Sequence, residues 1–207
     1  MKPSSLERAL EALETMERGK PYGLRPEDPK RRLADELARL ARELRIRPLI
    51  IGGMAANHHG YLRFTGDVDL LLSKDDAVLL LRKLKSELGW KRFHEGFKNT
   101  VLDIGVDLCV EGGKTSPAWS ERFPRPSELG QLRVRPLPVP TLPDLIALKA
   151  MSGRSRDDTD VIELLKLHRR RIATLLKGAR ARLKTDEAKR HLDAVVARAR
   201  EEIAQGR

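Results

Sequence analysis

The chain has 207 residues, one cysteine, 40% apolar side chains and a formal charge of +11. That length suits one domain, or one with a small companion, and 15 glycines bring the apolar share near the ~45–50% of ordinary globular chains, which excludes disorder throughout. No stretch reaches the ~18 uncharged apolar residues of a membrane span, the opening MKPSSLERALEALE lacks the apolar run of a signal peptide, and the lone Cys109 excludes an internal disulfide framework and a cysteine-based zinc site, so the reducing cytoplasm is the expected compartment.

Residues 4–18 read as a helix: Ser4 and Glu7 fit a capping box, and Leu6, Leu10, Leu13 and Met16 make one apolar stripe. GKPYGLRPEDP breaks it, and Asp28-Pro29 can start a second helix as cap and first residue, with Leu33, Leu37, Leu40 and Leu44 on one face. Pro48-Leu49-Ile50-Ile51 then reads as a buried strand entering a tight turn at Gly52-Gly53. A short helix over 54–61, a strand over 67–72 and a helix over 75–88 follow, the last with Val78, Leu81, Leu84 and Leu88 inward. Further strands are expected over 90–93 and 101–110. The Gly/Pro/Ser-rich segment 111–130 reads as a functional or mobile loop, with Trp119 and Phe123 as either base-stacking or anchoring groups. A last strand over 132–139 precedes two helices opened by capping boxes at Thr141/Asp144 and Ser155/Asp158, and a helical tail with a break near Lys184-Thr185. The order predicts an α/β (α+β) fold: a small mixed sheet over 46–140, an N-terminal helical segment over 1–45, and a C-terminal helical region over 141–207.

The charge is uneven. Residues 166–207 hold 13 Lys+Arg against 5 Asp+Glu, whereas the rest of the chain holds 28 against 25. Such asymmetry points either to an anionic partner, with RNA first, or to a solvated charged face.

The chemistry concentrates in IIGGMAANHHGYLRFTGDVDLLL. Asp67 and Asp69 alternate with Val68 and Leu70, so on a strand the two acids face one way, about 6.6 Å apart along the chain. Two carboxylates about 5 Å apart repel by roughly 3 kcal/mol at an effective dielectric near 20. A divalent ion turns that cost into a site of hard oxygen ligands suited to Mg²⁺. VLDIGVDLCV offers Asp103 and Asp107 as a third acid, and three acids from two strands could hold two metals for in-line phosphoryl chemistry. Gly52-Gly53, at the turn from strand to helix, could present backbone N–H groups to a phosphate or simply satisfy a tight turn.

An apolar strand, Gly-Gly, thirteen residues, then Asp-x-Asp and a later acid resembles the nucleotidyltransferase fold of the DNA polymerase beta superfamily. The finer string is similar to the stand-alone prokaryotic branch of minimal nucleotidyltransferases and abortive-infection-type nucleotidyltransferase toxins, matching at Gly52, Gly53, Ala55, His59, Gly60, Arg63, Thr65, Asp67 and Asp69. The later DLIALKAMSGRSRDDTDVIELL resembles that branch's K…R-x-K-D-x(2)-D segment at Lys149, Arg154, Asp157 and Asp160, with Arg156 where Lys is usual. The resemblance spans residues 46–168. It implies that Asp67, Asp69 and Asp107 bind two Mg²⁺ ions, that Gly52 and Gly53 hold the nucleoside triphosphate, and that Arg63, Thr65 and Lys149 contact phosphate. One of the carboxylates would help deprotonate an attacking hydroxyl, a nucleoside monophosphate would be transferred, and pyrophosphate would leave. His59, Arg154 and Asp157 are candidate substrate-side residues. Each also has a structural reading: a hydrogen-bonded His59, a surface Arg154, and an acid favoured in the first turn of a helix. Lys149 could instead snorkel from an apolar helix. Asp107 is preferred to Asp103 because Val106 and Leu108 flank it as a core strand requires. The acceptor implied is a hydroxyl of RNA or of a protein, in a toxin–antitoxin setting, against two alternatives: a non-catalytic nucleic-acid-binding or antitoxin-like partner, and an enzyme that modifies an antibiotic.

Overall fold

The computed structural model describes residues 28–94, 96–116 and 119–206; the helix expected over 4–18 lies outside them. Helix α1 (Pro29–Leu44) starts as its sequence requires: the Asp28 side chain accepts from the Lys30 N–H at 2.8 Å, with Pro29 in the first turn. Leu33, Leu37 and Leu40 are buried with Ala34, Ala38 and Ala41, a stripe at helical spacing.

Strand β1 (Leu49–Ile50) leads into helix α2 (Gly52–His58), and β2 (Asp67–Leu72) follows the segment 59–66. Helix α3 (Lys74–Ser86), β3 (Trp90–Phe93), β4 (Gly96–Asn99) and β5 (Ile104–Val110) complete the core. The sheet order is β1-β2-β5-β4-β3, with β2 and β5 parallel and the other neighbours antiparallel. A mixed sheet results because α3 and the β3–β4 hairpin carry the chain from β2 across to β5. Helices α1 and α3 pack against β2 and β5.

Four expectations about elements change. The strand expected over 101–110 starts at Ile104, and 96–99 is a strand of its own. Gly96 permits this pairing, since a Cβ there would meet the Val106 carbonyl oxygen at 2.0 Å. Helix α3 buries Ala77, Leu80 and Leu84, while Val78 is exposed and Leu88 lies beyond the helix, 97% exposed. The run AVLLL offers apolar residues all round one turn, so spacing alone could not choose the face; Ser73, capping the Asp76 N–H at 3.1 Å, sets where the helix begins. The strand expected over 132–139 is two short pieces, β6 (Gln131–Leu132) and β7 (Val139–Pro140), paired with each other. Neither later capping box forms as expected. Thr141 Oγ1 donates to Asp144 Oδ2 at 2.6 Å, and Ser155 is already helical, with Arg154 as the cap.

Helices α4 (Leu142–Ser152), α5 (Ser155–Leu167), α6 (Ile172–Arg182) and α7 (Asp186–Ala204) form the C-terminal bundle, and the break over 183–185 falls where the sequence placed it. α4 packs on α5, α6 and α7, and α5 packs on α7. The basic region is therefore built into the fold: Leu175, Ala179, Leu183, Leu192, Val195, Val196 and Ala199 join the hydrophobic core, and Arg169–Arg171 form an exposed 3-10 turn. This is the mixed α/β fold expected, a small sheet flanked by helices. No helix among the described residues is long and apolar enough to cross a membrane.

Candidate active site

The acids meet because of register. β2 and β5 run parallel with Asp69 opposite Asp107 and Asp67 opposite Gly105. Side chains at paired positions and at i, i+2 share a face. Asp67, Asp69 and Asp107 therefore stand together, each offering an oxygen within 4.8 Å of the others. Val68 and Leu70, alternating with them, are fully buried. Asp103 stands apart: it precedes β5 in a left-handed turn (φ 58°), its side chain is 81% exposed, and it pairs with Lys98 Nζ at 2.6 Å.

The glycine pair is packed against this cluster. Gly52 has φ +64°, and a Cβ there would lie 1.8 Å from Asp69 Oδ2. A Cβ on Gly53 would lie 2.7 Å from the Thr65 side chain. The Gly-Gly and D-x-D motifs are thus two sides of one contact, which the Ile51 N–H closes by donating to the Asp69 carbonyl at 3.0 Å.

A cleft of about 680 Å³ opens over the carboxylates. Gly52, Asp67, Asp69, Asp107, Lys149, Arg154 and Asp157 line it, together with His94, Lys98, Lys114 and Phe123. Gly53, His59, Arg63 and Thr65 do not. Thr65 is buried and its hydroxyl donates to Asp67 Oδ1 at 3.0 Å, so it orients a carboxylate. Arg63 Nε lies 2.8 Å from Asp160 Oδ1. His59 Nε2 bonds the Pro140 carbonyl at 2.8 Å, fastening α2 to β7. Trp119 rests on Gly153, where a Cβ would meet its ring at 2.6 Å, and edge-on to His191, so it anchors the loop.

Lys149 lies at the centre of a buried ion cluster. Its ammonium sits 2.6 Å from both Asp157 Oδ1 and Asp160 Oδ2. Ser152 Oγ and Arg154 Nε donate to Asp157 Oδ2 at 2.5 and 2.7 Å. Burial opposes the Asp157 charge, but Lys149, Ser152 and Arg154 together hold its carboxyl below the usual range. The Asp160 contacts are ion pairs by distance, without well-directed hydrogen bonds. Ser152 carried no expectation, and Asp160 was matched in the later motif without a role of its own. The i, i+3 spacing of Asp157 and Asp160 puts both on one helical face and was the available signal; His94, Lys98 and Lys114 had none, since only the sheet edge brings them to the cleft.

Withdrawal from water, then the Asp67 and Asp107 charges, push the Asp69 carboxyl up to about 6 against the pull of Lys149 and Arg154. Three hard oxygen donors brought this close together fit a divalent cation such as Mg²⁺. Burial pushes the Cys109 thiol up to about 12, which removes it as a thiolate nucleophile.

No protein-family model matches the chain, and no curated protein matches it significantly. Among solved structures, an antigenic nucleotidyltransferase-like protein from Paracoccidioides brasiliensis superposes with a TM-score of 0.54 at 16% identity, over 86% of this chain and 92% of that one. This chain has a nucleotidyltransferase-like fold. ANT(2″)-Ia in complex with adenylyl-2″-tobramycin is a weaker likeness, with a TM-score of 0.42 at 16% identity over 83% of this chain and 99% of that one. The solution structure of the antibiotic-resistance factor ANT(2″)-Ia gives 0.43 at 16% identity over 86% and 97%. In this nucleotidyltransferase-like fold the acidic cluster lies on β2 and β5, the parallel pair of the sheet.

Proposed function

We propose that the protein is a Mg²⁺-dependent nucleotidyltransferase that moves a nucleoside monophosphate from a nucleoside triphosphate to a hydroxyl of RNA or protein. The observation that carries this reading is the meeting of Asp67, Asp69 and Asp107 within 4.8 Å on neighbouring strands. These three residues would hold the metal, which would supply charge neutralisation to the triphosphate and the departing pyrophosphate. One carboxylate accepts the proton of the acceptor hydroxyl. The freed oxygen bonds to the α-phosphorus, and the bond to pyrophosphate breaks. Thr65 keeps Asp67 in orientation, and Gly52 leaves the space that Asp69 needs. Arg154, which lines the cleft with its side chain 74% exposed, is a cation that would meet phosphate oxygens. Lys149 acts from within the ion cluster, lowering the electrostatic cost of charge on Asp69.

Two features support an anionic acceptor: the +11 charge and the exposed arginine turn. A polycationic drug would be repelled by both. The resemblance of residues 46–168 to abortive-infection-type enzymes supports a toxin–antitoxin role.

The deciding experiment is incubation with each labelled nucleoside triphosphate, Mg²⁺, total RNA and lysate protein. Wild type should label one fraction. Asp67→Asn and Asp69→Asn should each lose at least a hundredfold in transfer while melting no lower than wild type, because the change is nearly isosteric and relieves repulsion. Transfer retained in both variants would remove the enzyme reading from this site.

A further inference from the structure

Phe64 is the aromatic side chain most open to solvent among the described residues, at 78% exposed. It lies in the segment joining α2 to β2, three residues before Asp67. At ~3.3–3.6 Å per residue its Cα is within about 11 Å of that of Asp67. The backbone beneath the ring is held on both sides. Asn57 accepts from the Arg63 N–H at 3.0 Å and donates to the Arg63 carbonyl at 3.1 Å. The Phe64 carbonyl accepts from Arg63 Nη1 at 3.1 Å and Arg156 Nη2 at 2.9 Å. Thr65, next along, is buried on Asp67. A large apolar ring is thus displayed in water on an ordered backbone while adding little to the core.

Its neighbours are cations. Lys30 Nζ lies 4.9 Å from the ring centroid, and Arg156 sits at the carbonyl; neither pairs with a carboxylate among the described residues. The other end of the same segment abuts the arginine turn: His168 Nε2 bonds the His59 carbonyl at 3.1 Å, and Arg169–Arg171 follow directly. One short stretch of chain therefore runs from three exposed arginines, past an exposed aromatic flanked by two more cations, to the acidic cluster.

We infer that Phe64, with Lys30 and Arg156, is a stacking platform for a base of single-stranded nucleic acid whose backbone extends toward Arg169–Arg171 and whose end enters the cleft. This deepens the transfer reading and takes its direction from it. A planar base matches an exposed ring, and phosphates match the flanking cations. A cationic small molecule would be repelled. A protein partner would want contiguous apolar surface, which Lys30, Arg63 and Arg156 interrupt.

The test is fluorescence anisotropy of a short labelled single-stranded RNA titrated with the full chain, without nucleotide or metal. Phe64→Ala should weaken binding by roughly 5- to 100-fold at every salt concentration, as loss of one stacked base does. The slope of log K against log salt should stay unchanged, because stacking releases no counterions. Phe64→Trp should bind like wild type, and Arg156→Gln should flatten the slope by about 0.7. Wild-type RNA affinity in Phe64→Ala would make the ring a protein contact or an idle surface group and overturn the inference. So would full recovery in Phe64→Leu, which is apolar but not planar; the comparison of Leu with Trp also decides the matter if the alanine variant folds poorly. The assay needs no catalysis, so absence of nucleotidyl transfer would sink the reading of the cleft without altering this result.

Discussion

Asp69 carries the sharpest electrostatic consequence at the scale of single residues. Its carboxyl, raised from 3.8 to about 6 by burial and its two acidic neighbours, is easier to protonate in the folded protein than in the unfolded chain. Below pH ~4 that stabilisation is fully present, and it is lost as pH rises through about 6, a change of up to about 3 kcal/mol for two pKa units. Denaturant unfolding of the protein in chelator should therefore show stability falling from pH 4 to pH 6.5. Asp69→Asn should flatten that window, and a wild-type profile as flat as the variant's would acquit Asp69. Added Mg²⁺ should stabilise the protein more at pH 7.5 than at pH 5, since metal competes with the proton. The neighbouring choice between acids is equally concrete. Asp107→Asn should remove Mg²⁺-dependent transfer by a hundredfold or more. Asp103→Asn, altering an exposed carboxylate that pairs with Lys98, should leave most of it. Rates across a Mg²⁺ titration of both variants settle which acid serves. The preference for Asp107 was readable from its apolar neighbours, Val106 and Leu108. The roles of Thr65 and Arg63 were not, because a hydroxyl or guanidinium beside a D-x-D motif can face a ligand or a carboxylate, and only the packing of the folded chain decides which.

Among the elements, the tie between α4 and α5 is the one that a short motif concealed. Lys149 leaves α4 to meet Asp157 and Asp160 on α5, and Asp160 reaches on to Arg63 beside β2. Removing one partner of a buried ion pair leaves the other charge uncompensated, at a cost of about 3–5 kcal/mol. Lys149→Met should therefore lower stability by that much, measured by urea unfolding, despite preserving volume and apolar stem. Arg154→Gln, whose side chain is mostly in water, should cost less than about 1 kcal/mol while still impairing transfer. Equal losses in the two variants would show that the cluster is not the structural tie between the helices. The strand 67–72 was legible from the alternation of acids and apolar residues over 67–70, and the helix stripe of Leu33, Leu37 and Leu40 from its helical spacing. α3 was legible in extent but not in facing, since its AVLLL run suits several faces. β4 was missed because four residues starting at a glycine carry almost no period; their partner, β5, decides them.

For the whole molecule, charge and fold meet in the C-terminal helices. Their apolar faces complete the core, so deleting the tail should unfold the protein rather than merely discharge it. The basic face is testable in place: with Arg169, Arg170 and Arg171 changed to Glu, RNA binding should lose salt dependence by about 0.7 per single-strand contact, or about 0.9 per duplex contact. An unchanged slope would make the turn a solvated face.

By itself the sequence determined what local periodicity and spacing can encode: a mixed α/β core, the Gly-Gly and Asp-x-Asp pair with its later acid, and the helical, basic C-terminal end. Tertiary structure alone decided the rest. Parallel pairing of β2 with β5 set Asp107 beside Asp69, and close packing made Gly52 and Gly53 the clearance for Asp69 and Thr65. Packing of α4 on α5 set Lys149 between Asp157 and Asp160. A side chain's partner depends on which distant residues share its space, and that is a property of the packed chain rather than of any window along it.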